Sequence, residues 1–103
     1  MSRRTTKIRA SAQGQQCQLR LPGVCNHDPA TVVACHLRIA GTCGVGLKPS
    51  DLLTVRACAA CHDILDGRSK APHITPEELT LYVHEAHCRT LVEYEREGLI
   101  HAE

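Results

Sequence analysis

The chain has 103 residues, which is enough for one small domain and not for two. It contains no Phe, no Trp and only two Tyr, so its core must be built from Val, Leu, Ile and Ala. The same lack of aromatic residues gives little support to a protein that binds single-stranded nucleic acid by base stacking. The formal net charge is only +1, but the charges are unevenly distributed along the chain. Residues 1–56 carry eight Lys or Arg and two Asp, whereas residues 57–103 carry four Lys or Arg and nine acidic residues. The basic first half favours a polyanionic partner.

The first 16 residues are polar and basic. We expect residues 1–16 to form a basic, partly disordered segment with a short helix within residues 8–16, followed by a single domain over residues 17–103. No apolar run follows Met1 as it would in a secretory signal, and no stretch is long enough to cross a bilayer. These features predict a cytoplasmic protein with no membrane partner, in which thiols stay reduced.

Seven cysteines and seven histidines favour a metal site in such a chain. Pro22 and Gly23 suit the centre of a type II turn, which would fold one cysteine back toward another, and a C-x-x-C pair follows further along. Two such pairs match a tetrahedral structural zinc site, whose predicted ligands are Cys17, Cys25, Cys58 and Cys61. Cys43 is the likeliest substitute ligand, and a pair of buried free cysteines is the alternative for the first pair.

Two stretches rich in β-branched and apolar residues, 31–37 and 52–57, predict strands. The residues between them include three glycines and Pro49, so the strands are expected to form an antiparallel hairpin with a long connection. His36 lies near the end of the first strand. A short helix is predicted over residues 59–66, ended by Gly67, with His62 at its start.

The last element is predicted to be a helix that packs on the core as a brace. Thr75 suits its N-cap, Pro76 its first position, and Glu78 completes a capping box. Apolar residues then recur at helical spacing until Gly98. The helix also carries His84, His87 and Cys88, which could bind a metal but are more often structural on a packed helix.

A strand histidine, a glycine-containing loop, the stretch Lys48-Pro49-Ser50-Asp51 and the motif Cys58-x-x-Cys61-His62 together resemble the HNH endonucleases, also called His-Me finger or ββα-metal nucleases. Within that group the chain looks most like the small phage and prophage nucleases of the YbcO type. The resemblance implies an α+β fold, namely a small zinc-stabilised ββα-metal domain with an N-terminal loop or short helix and a C-terminal bracing helix.

The resemblance also implies roles for single residues. His36 matches the histidine that acts as general base on the attacking water. His62 matches the helix histidine that binds a catalytic divalent ion. Cys35 stands where many members have an aspartate ligand, and a thiol there would favour a metal softer than Mg²⁺. The catalytic ion is therefore expected to be Mg²⁺, Mn²⁺ or a softer ion. Asp51 is the nearest match to the middle residue of the HNH name, and it would either orient His36 or bind the ion.

The expected function is therefore that of a metal-dependent endonuclease that hydrolyses DNA phosphodiester bonds. Catalysis would depend on His36, His62 and Asp51, and DNA contacts are expected from Arg20, Arg38 and Lys48. The alternative is a non-catalytic, zinc-stabilised DNA-binding or adaptor module that uses the same basic half. A redox protein built on the C-x-x-C pair is disfavoured, because no βαβ context surrounds it.

Overall fold

The computed structural model describes residues 6–44, 46 and 49–101. These residues form a small α+β domain with one two-stranded sheet. Its elements in chain order are α1 (Lys7–Ser11), a 3₁₀ turn (Pro29–Thr31), β1 (Val33–His36), β2 (Thr54–Ala57), α2 (Ala59–Leu65) and α3 (Pro76–Arg96). Within the described part of the chain, no helix is both long and apolar enough to span a membrane.

The predicted antiparallel hairpin is confirmed, with shorter strands than expected. Val33 lies opposite Ala57 and His36 lies opposite Thr54. Residue 31 is not part of β1, because the side chain of Asp28 accepts a hydrogen bond from the Ala30 N–H and starts a 3₁₀ turn there. The pairing fixes the end of β1, where His36 lies, against the start of β2.

A single residue separates the end of β2 from the start of α2. Cys58 is its N-cap, and the Cys58 sulfur accepts a hydrogen bond from the Cys61 N–H at 3.5 Å. The helix ends at Leu65 with Asp66 as C-cap, and Gly67 then takes a positive φ of +78°, which is the conformation that favours glycine after a helix. Because so little chain separates β2 from α2, the side chains of α2 have a fixed position relative to the sheet.

Helix α3 is the predicted brace. Thr75 and Glu78 form both hydrogen bonds of the capping box, and Gly98 follows the helix with a φ of +74°. The buried face of α3 contacts β2: the Thr90 hydroxyl accepts from the Arg56 N–H at 3.2 Å, and the Tyr94 hydroxyl lies 2.6 Å from that of Thr54. These contacts hold the long helix against the back of the hairpin.

Arg56 is a fully buried charge at the centre of the domain. Its guanidinium donates to Glu93 at 2.9 Å, to both oxygens of Glu97 at 2.7 Å and to the Ser11 hydroxyl at 2.9 Å, and it lies 4.9 Å from the centre of the Tyr94 ring. It therefore joins α1, β2 and α3. Arg56 counted toward the basic half of the sequence, but its burial removes it from any surface that could meet a polyanion.

The apolar core is small and contains no Phe or Trp, as the composition requires. Four cysteines belong to it, and Cys25 is partly buried and packs against it. Its buried members are Ala12, Cys17, Leu19, Leu21, Val32, Cys35, Val55, Ala57, Cys58, Cys61 and Ala86.

Candidate metal centre and active-site cleft

The structure brings the four predicted cysteines together. One ligand atom from each of them lies within 4.8 Å of the others, and the sulfurs of Cys25 and Cys58 are 3.8 Å apart. The first pair is folded back as expected, because the Val24 and Cys25 N–H groups donate to the Leu21 carbonyl at 3.1 and 3.0 Å. Gly23 has a φ of +69° in this turn. The cluster could hold a metal ion.

Backbone donors surround these sulfurs. The Arg20 N–H donates to Cys17 at 3.4 Å, and the Asn26 N–H donates to Cys58 at 3.5 Å. A hydrogen bond from Cys61 lowers the pKa of Cys17 to about 4, while burial raises the pKa of Cys25 to about 11 and a hydrogen bond to Cys17 raises that of Cys61. The pKa of one thiol is thus lowered while those of its neighbours are raised. A divalent cation would balance the charge of all of them as thiolates, so this donor set fits a divalent metal.

The second group of interest is the pair formed by His36 and Asp51. Imidazole Nε2 of His36 lies 2.8 Å from the Asp51 carboxylate. The Thr54 hydroxyl donates to the Asp51 carbonyl at 2.7 Å, which ties this loop residue to the strand opposite His36. Burial works against the charge of Asp51, but hydrogen bonds from Thr6 and His36 and the nearby Arg9 guanidinium lower its pKa.

An ionised Asp51 settles which nitrogen of His36 carries the proton. A carboxylate can only accept, so Nε2 is the nitrogen that donates to it, and in the neutral form of the ring Nδ1 then has the lone pair. The sequence left two roles open for Asp51. The 2.8 Å contact with His36 is compatible with orienting the ring.

Cys35 does not face the same environment as its neighbour His36. Its side chain is 2% exposed and belongs to the core, and its thiol lies 3.8 Å from the Val33 carbonyl. Burial raises its pKa to about 12. A buried neutral thiol is a poor ligand for an ion that must also reach solvent and substrate, so these surroundings do not fit a softer metal bound through Cys35.

His62 has a carboxylate partner that the sequence analysis left unassigned. Its Nε2 lies 3.0 Å from Oδ2 of Asp66, one helical turn further along α2. The i, i+4 spacing places both groups on one face of the helix. That spacing was the signal available in the sequence, since Asp66 is four residues after His62.

A cleft of about 590 Å³ joins the end of β1 to the end of α2. It contains an imidazole, a carboxylate and two guanidinium groups on otherwise apolar walls. Its lining residues are His36, Leu37, Arg38, Ile39, Leu65, Asp66, Arg68 and Val83. Such a cleft offers groups that can exchange a proton and groups that can bind an anion.

The three predicted DNA-contacting residues are placed differently. Arg38 is exposed and lines the cleft. The Arg20 side chain donates to the Cys17 carbonyl at 2.9 Å and so lies beside the cysteine cluster. Lys48 lies outside the described residues.

The histidines of α3 divide between two environments. His87 Nδ1 lies 2.9 Å from the Thr54 carbonyl, a contact between α3 and β2. His84 is exposed, and its Nε2 is 3.9 Å from the sulfur of Cys88. Neither histidine is among the residues lining the cleft described above.

Comparison with known proteins identifies the relatives of this chain. Residues 6–99 match the family described as "Putative nuclease YbcO". Two relatives, "Putative nuclease YbcO" of Escherichia coli (strain K12) and "Putative nuclease ybcO" of Enterobacteria phage 82, are each 43% identical over 99 residues, covering 92% of this chain and 97% of theirs. The solved "Structure of a putative bacteriophage protein from Escherichia coli str. K-12 substr. MG1655" is similar with a TM-score of 0.73 at 38% identity, over 89% of this chain and 100% of that one. The chain therefore belongs to the YbcO family.

Proposed function

We propose that this protein is a metal-dependent endonuclease of the HNH type that hydrolyses DNA phosphodiester bonds. The observation that carries the proposal is the 2.8 Å contact between His36 and Asp51 at a cleft lined by Arg38, Asp66 and Arg68. The relatives described as nucleases agree with it. The hairpin followed at once by α2 is the order of elements that the ββα-metal name describes.

In this proposal His36 is the general base. Its Nδ1 takes a proton from a water molecule in the cleft while that water attacks the phosphorus. Asp51 holds the ring through Nε2 and stabilises the imidazolium that forms. Arg38 contacts the nucleic-acid backbone, where a guanidinium fork matches two phosphate oxygens.

A divalent ion would be held by His62 and Asp66. Their imidazole nitrogen and carboxylate oxygen are 3.0 Å apart on a partly exposed helix face, and this nitrogen and oxygen donor pair suits Mn²⁺ or Mg²⁺ better than a thiol would. When bound, the ion supplies positive charge that stabilises the phosphate oxygens and the leaving 3′ oxygen. The Asp66 carboxylate lines the cleft, so an ion held there would lie beside the substrate.

The four-cysteine cluster is proposed to hold a structural Zn²⁺. Four sulfurs from two loop positions and the first turn of α2 match the closed tetrahedral type of zinc site. Because Cys58 and Cys61 begin α2, the metal would fix the helix that presents His62 and Asp66. The zinc would thus support the active site without taking part in the reaction.

Plasmid nicking tests the proposed activity. Wild-type protein is incubated with supercoiled plasmid and Mg²⁺, Mn²⁺, Ni²⁺ or no metal, beside His36→Ala and the control His84→Ala. We expect metal-dependent nicking by the wild type and the control and none by His36→Ala. Wild-type protein that binds the plasmid without nicking it in any metal would support the non-catalytic DNA-binding module instead.

A further inference from the structure

Arg68 pairs with the Asp66 carboxylate, the group that would also hold the proposed divalent ion. A single oxygen of Asp66, Oδ2, lies 3.0 Å from His62 Nε2 and 2.7 Å from the Arg68 guanidinium. The same guanidinium lies 3.4 Å from the carboxylate of Asp63. The positive charge of Arg68 therefore occupies the position beside Asp66 where a divalent ion would bind.

We propose that Arg68 is an exchangeable counterion, which pairs with Asp66 in the absence of a divalent ion and moves to a backbone phosphate of the substrate when the ion binds. This inference rests on the proposed function, because it takes the ion site and the nucleic-acid substrate from there. It adds a residue that couples the binding of the ion to the binding of the substrate.

The exposure of Arg68 makes this exchange easy. Its side chain is 60% exposed, and exposed ion pairs are weak because water screens them. Arg68 lines the same cleft as His36, so a guanidinium released from Asp66 is already at the substrate. Phosphate offers the same two-oxygen geometry as the carboxylate that Arg68 leaves.

The backbone around Arg68 does not need to move. Its N–H donates to the Asp63 carbonyl at 2.9 Å, and the Gly67 N–H donates to the Ile64 carbonyl at 3.1 Å. These two bonds close the end of α2 without the help of the side chain. A purely structural role in ending the helix is therefore already filled by the backbone, and the side chain is left free to exchange.

The first measurement is Mn²⁺ affinity without DNA, by calorimetric titration of the zinc-loaded protein. Arg68→Ala removes the competitor, so it should bind Mn²⁺ about two- to five-fold more tightly than wild type, the range expected for one exposed ion pair. Lys70→Ala, which removes an exposed cation from the same loop, is the matched control and should leave the affinity unchanged. Asp66→Asn should weaken binding.

The second measurement is DNA affinity with and without Mn²⁺, in proteins that also carry His36→Ala so that the DNA is not cut. Mn²⁺ should strengthen DNA binding several-fold when Arg68 is present and clearly less when it is alanine. An unchanged or weaker Mn²⁺ affinity in Arg68→Ala, or an equal gain from Mn²⁺ in both proteins, overturns the exchange. Wild-type protein that binds Mn²⁺ and DNA without ever nicking DNA contradicts the proposed function while leaving the exchange supported.

Discussion

The two ends of α2 hold different kinds of chemistry. At its start, Cys58 and Cys61 are buried, and their sulfurs lie among backbone donors and two further cysteines. At its end, Asp66 is in contact with His62 and Arg68 on an exposed surface. The buried end suits a permanent structural metal, whereas the exposed end suits ions and substrates that come and go.

Two arginines show the same difference between a buried and an exposed environment. Arg56 and Arg68 each contact two carboxylates, but Arg56 is 0% exposed and Arg68 is 60% exposed. Removing one partner from a buried pair leaves an uncompensated charge in the core, which is costly. The exposed pair can open at little cost. Burial alone therefore separates a fixed brace from an exchangeable contact made of the same groups.

The largest effect is expected from removing the structural metal. Metal binding contributes on the order of 10 kcal/mol in small zinc domains, which is comparable with the whole stability of a domain. Cys58→Ser, or treatment with a strong chelator, should therefore unfold the protein, as measured by circular dichroism and by elemental analysis for zinc. Cys88→Ser removes an exposed cysteine outside the cluster and should change neither. Freshly purified wild type that is folded and contains no zinc would contradict the assignment.

The next largest effect is expected from removing residues of the proposed active site. His36→Ala should lower the nicking rate by about 10²–10⁴-fold, which is typical for loss of a general base, and should leave zinc content and thermal unfolding unchanged. Added imidazole should restore part of its activity. His62→Ala should also lose activity, but high Mn²⁺ should restore that variant instead. If nicking survives in His36→Ala, the base is a different residue.

The sequence was most informative where the ligands lie close together in the chain. A C-x-x-C pair at a helix start and a turn at Pro22 were enough to predict the cysteine cluster, because both spacings constrain local geometry. The hairpin and the C-terminal ends of α2 and α3 were also predictable, since strand patterns and helix caps are local signals. The first strand was predicted to begin too early, because the turn that Asp28 starts was not recognised.

The remaining features depend on contacts between distant parts of the chain. Arg56 contacts Glu97, 41 residues away, and no local pattern marks it as buried. Cys35 was expected beside the catalytic ion, yet successive side chains of a strand point to opposite faces, and the core takes Cys35 while His36 reaches the cleft. No motif marks Arg68, because its position in the cleft depends on where α2 ends relative to β1.

A smaller effect is expected on the pH dependence of the free energy of unfolding, which should differ between the ion pair of buried Arg56 and that of exposed Arg68. A hydrogen bond from Arg56 lowers the pKa of Glu97 below its usual 4.5, so this pair stabilises the fold above pH 4.5, and the stabilisation is lost as the pH falls through the lowered pKa. Glu97→Gln should lower the free energy of unfolding at pH 7 by about 1–2 kcal/mol.

The difference between Glu97→Gln and wild type should shrink below pH 4.5, because the wild-type carboxyl becomes neutral as well. Urea unfolding across pH measures this difference, with zinc content followed at each pH so that loss of the metal is recognised. Asp66→Asn is the matched control on an exposed carboxylate and should change stability at pH 7 by much less. Equal effects of the two substitutions would mean that burial does not separate the two pairs.

The smallest effect is expected for the single basic residues that were predicted to contact DNA. Arg38 lines the cleft, whereas the Arg20 side chain donates to the Cys17 carbonyl beside the cysteine cluster, so of these two residues Arg38 is the one whose change to Ala should remove a phosphate contact. Its loss should weaken binding to all DNA sequences alike, by a few-fold, and should reduce the slope of log affinity against log salt by about one. Fluorescence anisotropy with a labelled duplex over a series of salt concentrations measures both quantities. Arg96→Ala, an exposed cation in the last turn of α3, is the control for net charge alone. If Arg38→Ala and Arg96→Ala change the slope equally, DNA does not enter the cleft, because a general loss of charge would then account for the whole effect.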